Sequence, residues 1–394
     1  MTASQPIGVR ITDDWASVRA AWPGLSDLGR SVDGPLFQTR EWIDTWCATL
    51  GEAGDTEGRF AILGDGEAAR IFLPFVVRRA HGVRILEGFG DGTADYHAPL
   101  VSRGAAFGPA EADALWAALG RGPGAPDAVH LVKALAEIAG RPNPLLAWGA
   151  RPYPMSGHIA RLEGGWETWF GRHFGRDTQK TLARKRRKLG ELGPIETRYA
   201  RDGAEALEWL SALIAGKAAQ MAGASVANGL AGERTAAFYE RLTRGDTAAE
   251  HVKVYALTVG GAPVALQWGV AAGGRFTNLL TSYAAGDWTR FSPGLLMFRD
   301  LIEDRFAQGD SFFDFGIGDE GYKARFSDDP ALALWSVLRA RTLRGRGYVA
   351  AQLARYHLRN APSVRWARRT LRGLRSAGRT GAEAGTKAEA AQAG

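Results

Sequence analysis

The sequence predicts an α+β protein of two domains, each a mixed, largely antiparallel sheet flanked by helices. Three observations carry this. The chain has 394 residues, 45% of them hydrophobic, which favours two cores over one. Runs rich in β-branched and aromatic residues meet at tight-turn signals, Asp65-Gly66, Gly260-Gly261 and Gly273-Gly274. Helical periodicity separates these runs in both halves, with a similar element order and no residue-level repeat.

The elements follow in order. Gly8 to Arg10 reads as a short strand, and Trp15–Ala21 as helical. In Pro35–Gly51, Trp42, Trp46 and Leu50 recur every four residues and Gly51 stops the helix. Arg59–Arg79 reads as a hairpin, VRILEGFG continues the sheet, and Asp91–Leu100 is a polar, aromatic loop. A helix at Pro109–Leu119 and a strand at Ala128–Val132 follow. The Pro- and Gly-rich stretch GRPNPLLAWGARPYPMSGH marks the crossing between halves. The domains are thus expected at 1–165 and 166–345, followed by a tail at 346–394.

The second half opens with a basic helix, Trp166–Leu192, and a strand, Ile195–Tyr199. Two helices come next, Ala204–Gln220 and Glu233–Arg244, then three antiparallel strands ending near Tyr283. A helix at Pro293–Gln308, a strand at Phe312–Phe315 and a last strand at Ala331–Arg341 complete the unit.

No apolar run approaches the ~18–20 residues that span a bilayer, and MTASQPIGVRITDDW lacks a secretory pattern. The single cysteine, Cys47, lies among Trp42 and Trp46 and reads as a core thiol. These features lead to the expectation of a cytoplasmic protein. No His/Cys/carboxylate set has ligand spacing, so no metal is expected.

The net charge of +7 is uneven. Between Pro330 and Ala382 there are twelve arginines and no acidic residue. The rest of the chain holds 37 basic and 42 acidic residues. A slightly acidic body with a basic appendage argues against a nucleic-acid-binding body. In Tyr348–Ala377, apolar residues at helical spacing alternate with arginines, a pattern suited to an anionic membrane surface. Arg172–Lys188 carries eight Lys/Arg, read either as a solvated face or as contact with a nucleotide tail, tRNA or polyanionic glycan.

The chemistry concentrates in Arg290–Phe326. Ser292 suits an N-cap, Pro293 the first helical position, and Gly294 leaves the first turn open to a phosphate. In GIGDEGYKARF, Asp319 and Glu320 could serve as bases, Tyr322 as acid, and Lys323 as the cation facing a tetrahedral oxyanion. A solvated loop with Lys323 paired to a carboxylate is the alternative. Asp314 either caps the glycine turn after it or acts as a base. In DGTADYHAPL, His97 could serve as a base, and Asp95 and Tyr96 could bind the acceptor; a turn held by Asp side chains is the rival. Ser282 and Tyr283 end the strand before the donor helix and are expected in the same cleft.

The order strand–SPG–helix–FDFGIG–YKARF resembles the CelD/BcsL group of acetyltransferase-like proteins in the GNAT superfamily, associated with cellulose and exopolysaccharide biosynthesis. FQTREWIDTW, LPFVVRR, ADYHAPL, RKRRKLGELG and VYALTVGGAPVA extend the likeness over about 300 residues. The group is similar to FemAB-type aminoacyl transferases, which carry two GNAT-like domains and a Lys-x-x-Phe lysine near the acceptor. Lys323 matches that lysine. GNAT enzymes bind the acetyl-CoA pyrophosphate with an Arg/Gln-x-x-Gly-x-Gly/Ala loop. Here Arg290, Ser292, Gly294 and Leu295 stand in its place, with the glycine shifted by one and the second small residue missing.

The resemblance implies a tandem GNAT-like acyltransferase. It would move an acetyl group from acetyl-CoA to an amine or hydroxyl of a sugar or polysaccharide precursor. One alternative is an aminoacyl transferase using aminoacyl-tRNA. Another is a non-catalytic accessory protein of a membrane polysaccharide synthase.

Overall fold

Strand pairing obeys the turn signals. The computed structural model describes residues 8–51, 56–65, 68–90, 92–122, 124–222, 232–245, 250–318 and 320–360. The first sheet has nine strands. Its main path runs Gly8–Thr12, Thr56–Asp65, Ala68–Ala80, Val83–Gly88, Ala128–Leu135, Leu334–Ala340, Ala150–Pro152, with Leu100–Ser102 attached to Ala68–Ala80 and Val32–Asp33 attached to Leu100–Ser102. The second sheet has six, in the order Gly157–Arg161, Phe312–Ile317, Arg275–Tyr283, Ala262–Ala272, Val252–Val259, Ile195–Tyr199. Its two hairpins turn at Gly260-Gly261 and Gly273-Gly274, all four at φ between 58° and 85°, where a side chain would be strained.

Two strands change sheets. Gly157–Arg161 lies before residue 165 yet pairs antiparallel with Phe312–Ile317. The expected last strand of the second half, found at Leu334–Ala340, returns instead to the first sheet, between Ala128–Leu135 and Ala150–Pro152. Leu334 and Val337 are buried there. Alternating apolar residues identify a strand without naming its partner, so this exchange is a correction that only the pairing supplies.

The basic helix is also two helices, Trp166–His173 and Arg176–Gly190. Phe174 between them takes an extended conformation (φ −129°, ψ 110°) and packs on Phe170 and Phe326. Burial of one aromatic ring thus outweighs continuation of the helix, since such a side chain is worth about 2–3 kcal/mol when fully buried. Leu182 and Leu189 anchor the second helix; Arg186 is tied to Asp300, and most of the other cations face solvent.

The halves share a core. Trp42 of the Arg40–Cys47 helix meets Phe238 of the Glu233–Arg244 helix edge to face, centroids 5.0 Å apart. Trp209 and Trp268 of the second half belong to the same buried cluster as Trp22 and Phe60 of the first. Each such aromatic contact adds about 0.5–1.5 kcal/mol beyond area burial. No helix among the described residues is long and apolar enough to cross a membrane.

A polar link joins the halves as well. Asp314 sits between Phe313 and Phe315 and is 1% exposed. Its Oδ1 accepts from the Tyr96 hydroxyl (2.8 Å) and the Gly316 N–H (2.9 Å), and its Oδ2 from Arg275 (3.3 Å). Three donors satisfy a carboxylate that would otherwise be costly to bury. Tyr96→Phe should therefore destabilise the protein by about 1–3 kcal/mol in chemical denaturation. An unchanged midpoint would show that the hydroxyl does not hold this carboxylate.

Candidate active site

The site arises where two strands part. Arg275–Tyr283 and Phe312–Ile317 pair in parallel at three positions, Arg275 with Phe312, Phe276 with Phe313 and Thr277 with Asp314. Beyond these positions the two strands no longer pair with each other. At that point the register on the other side shifts: Gly269 faces Asn278 but Trp268 faces Leu280, leaving Leu279 as an extra residue. Such a bulge bends its strand. The gap is a cavity of about 790 Å³, with Asn278 and Thr281 on one wall and Phe315 and Ile317 on the other.

One end of the cavity is the start of the Pro293–Ala307 helix. Ser292 occupies the N-cap position in the left-handed region (φ 55°, ψ 55°), and its side chain makes no cap. This corrects the expected Ser292 cap. Its hydroxyl accepts instead from Lys185 Nζ at 2.6 Å, while its carbonyl accepts from the Leu295 and Leu296 N–H groups. Pro293 has no N–H to offer. The Gly294 N–H is left without an acceptor among the described residues, and Gly294 and Leu295 line the cavity. A Cβ on Gly294 would lie 3.5 Å from the Tyr283 ring, so a large side chain there would fill the mouth.

The other end holds the ionisable groups. Lys323 opens the short Lys323–Phe326 helix and is 5% exposed. Its Nζ donates to the Ile317 carbonyl at 2.6 Å and pairs with Glu320 at 3.1 Å. Burial alone would raise Glu320, but the Lys323 charge and hydrogen bonding bring it below its ordinary value. Tyr322 stacks on Phe298 with centroids 5.3 Å apart. Burial, then the Glu320 charge, raise its phenol, which keeps its proton at neutral pH.

Asp95 reaches this end from the first half. Its Oδ2 accepts from the Ile317 N–H at 3.2 Å. Gly316 makes the approach possible, since a Cβ there would stand 2.2 Å from that oxygen. Burial raises the Asp95 carboxyl to about 6, opposed by the Ile317 N–H and the charges of Lys133 and Lys323. A carboxyl near 6 is suited to accept a proton at neutral pH.

The cavity therefore collects Asp95, Glu320, Tyr322, Lys323, Tyr283, Ser292, Gly294 and Leu295. Other expected residues lie elsewhere. Tyr96 and Asp314 bond each other on the far side of the strand, since alternate residues of Phe312–Ile317 face opposite ways. His97 is buried, its ring nitrogens 2.7 Å from the Val132 carbonyl and 3.0 Å from that of Phe89. Ser282 lies beneath Gly216 of the Gly203–Ala222 helix, on the strand face opposite Thr281 and Tyr283. Arg290 is exposed and stacks on Phe291 at 4.8 Å, off the cavity wall. Asp319 lies outside the described residues. Lys217 lines the cavity and was not anticipated. Its only signal is a single charge in the run Ala-Gly-Lys-Ala-Ala-Gln.

Residues 176–324 match the family described as Acetyltransferase (GNAT) domain. The GNAT segment contains the splayed strands, the 293–307 helix and Lys323, whereas Asp95 comes from outside it. Two solved structures share the fold over most of the chain. One is a conserved protein of unknown function from Bacteroides thetaiotaomicron VPI-5482, at 12% identity and TM-score 0.53, covering 85% of this chain and 100% of that one. The other is FemX, at 10% identity and TM-score 0.53, covering 84% and 97%. The fold is α+β, with two mostly antiparallel sheets and flanking helices, and the GNAT domain match falls within the second half. None of the curated protein sequences matches the chain.

Asp95 yields a pH prediction. Its carboxyl is raised from its ordinary value of 3.8 to about 6 on folding. The folded state therefore holds the proton more tightly, and stability falls as pH rises between those values. Asp95→Asn keeps an acceptor for the Ile317 N–H and should be more stable than the parent at pH 8, by about 1–3 kcal/mol. The gain should vanish below pH ~4, where both forms are neutral. Denaturation at both pH values checks this, and a gain that persists at low pH would contradict it.

Proposed function

We propose that this protein transfers an acetyl group from acetyl-CoA to an amine or hydroxyl of a sugar or polysaccharide precursor. The observation that carries the reading is the splayed strand pair. It makes a slot with a helix start at one end and Asp95, Tyr322 and Lys323 at the other. The GNAT match over this segment supports acyl transfer, and the resemblance to exopolysaccharide-associated proteins supports the acceptor.

Each residue has a task. The Gly294 N–H and the positive end of the 293–307 helix favour the donor pyrophosphate. The unpaired strand edge beyond Thr277 offers backbone groups to an extended pantetheine arm. Asp95 takes the acceptor's proton as its nitrogen or oxygen attacks the thioester carbonyl. Lys323 has three N–H donors; Ile317 and Glu320 engage two, and the third faces the developing oxyanion. The C–S bond then breaks, and Tyr322 gives its proton to the leaving thiolate.

A second reading is favoured by the 176–190 helix, whose Arg176, Lys180, Arg184, Arg187 and Lys188 are exposed while Lys185 touches Ser292 at the cavity. That charge suits an aminoacyl-tRNA donor. The exposed Arg344, Arg346 and Arg355 of the Leu343–Asn360 helix suit an anionic membrane surface, as an accessory role would need. Tyr348–Ala377 extends past the described residues.

Calorimetry with acetyl-CoA separates these readings. Binding that Gly294→Trp abolishes is the expected result. Asp95→Asn should keep donor binding and lose about 10²–10⁴-fold in turnover. No binding at millimolar acetyl-CoA would overturn the reading and put the tRNA donor first.

A further inference from the structure

Lys217 has no task in that mechanism, yet the fold fixes it at the cavity. The Gly203–Ala222 helix lies along the Arg275–Tyr283 strand and is docked on both sides of Lys217. Before it, Gly216 sits so close over Ser282 that an added Cβ would stand 3.2 Å from its Oγ. After it, Gln220 donates to the Tyr283 carbonyl at 2.9 Å. Lys217 lines the cavity and is half-buried.

Its surroundings leave the ammonium unmatched. Lys323, the neighbouring cation, is held by the Ile317 carbonyl and Glu320. Lys217 has no hydrogen-bond or ion-pair partner among the described residues. Burial lowers its pKa; Glu320 and Asp95 act to raise it and Lys323 to lower it further. The groups that feel its charge are those at the transfer end of the cavity, not at Ser292 and Gly294. A half-buried cation without a partner is disfavoured unless an incoming anion completes it.

We infer that Lys217 binds an anionic group, a carboxylate or a phosphate, carried by the acyl acceptor. The acceptor class is then an acidic sugar or a sugar phosphate rather than a neutral one. The inference rests on the acyl-transfer reading for the word acceptor, but the anion site itself does not. Lys323 faces the oxyanion, Asp95 faces the nucleophile, and Lys217 selects the molecule that brings it.

The test uses the full chain with isotope-labelled lysine side chains, observed by NMR. The Lys217 signal is the one missing from Lys217→Gln. It is titrated with inorganic phosphate and, separately, with acetate. The expected result is a saturable shift of that signal with at least one probe. The same probe should bind about tenfold more weakly to Lys217→Gln and nearly normally to Lys217→Arg. A response to phosphate alone assigns a phosphorylated acceptor, and one to acetate alone a carboxylated one. A signal that neither probe moves, or equal probe affinity in Lys217→Gln, overturns the inference. Coenzyme A titrated into the same samples reports the donor reading independently: a Lys217 response without coenzyme A binding would keep the anion site and remove the acetyl-CoA donor.

Discussion

The architecture depends on a parallel pairing that stops after three residues. Had Arg275–Tyr283 and Phe312–Ile317 stayed paired to their ends, the second sheet would be continuous and would contain no cavity. The bulge at Leu279 turns one strand away. Asp314, at the last paired position, accepts from Gly316, Tyr96 and Arg275 and so holds the other strand as it leaves the pairing. A buried carboxylate is an unusual choice for the middle of an aromatic strand. Here it ties down the branching point, and the cavity walls lie beyond it.

Adjacent residues serve opposite sides of that point. Tyr96 secures Asp314 on the far side, while Asp95, one residue earlier, crosses to the cavity and meets Ile317. The contact between halves is therefore also the delivery of a carboxyl to the site. A shared aromatic core keeps the delivery rigid, because Trp42, Phe238 and Trp268 leave little freedom for one half to shift against the other.

Much of the fold was legible in the sequence. The helices Pro109–Leu119 and Glu233–Arg244 and the strand Ile195–Tyr199 have the bounds that propensity and punctuation set. Paired glycines placed the hairpins because only a positive φ closes them. Partner choice was hidden, since alternation gives a strand a face and no address; hence the two exchanged strands. In the site, the Ser-Pro-Gly turn and the Tyr-Lys pair were readable as local chemistry. Which neighbours point inward was not. Asp95 is in and His97 is out, because loop conformation and the packing of the His97 ring against Gly88 decide it. Lys217 gave only the faint signal of a lone charge, because one lysine in a helix is the ordinary content of a solvated surface.

The strand exchange has a consequence for how the chain is made. The first sheet needs Leu334–Ala340, whose partners in Ala128–Leu135 are synthesised some two hundred residues earlier. That sheet therefore cannot close until the chain has been made through Ala340. Until then Ala128–Leu135 presents an unpaired apolar edge. The two units are interleaved: a cut between residues 161 and 166 would leave Leu334–Ala340 on one piece and its partners Ala128–Leu135 and Ala150–Pro152 on the other. The first sheet is complete only when both halves contribute to it.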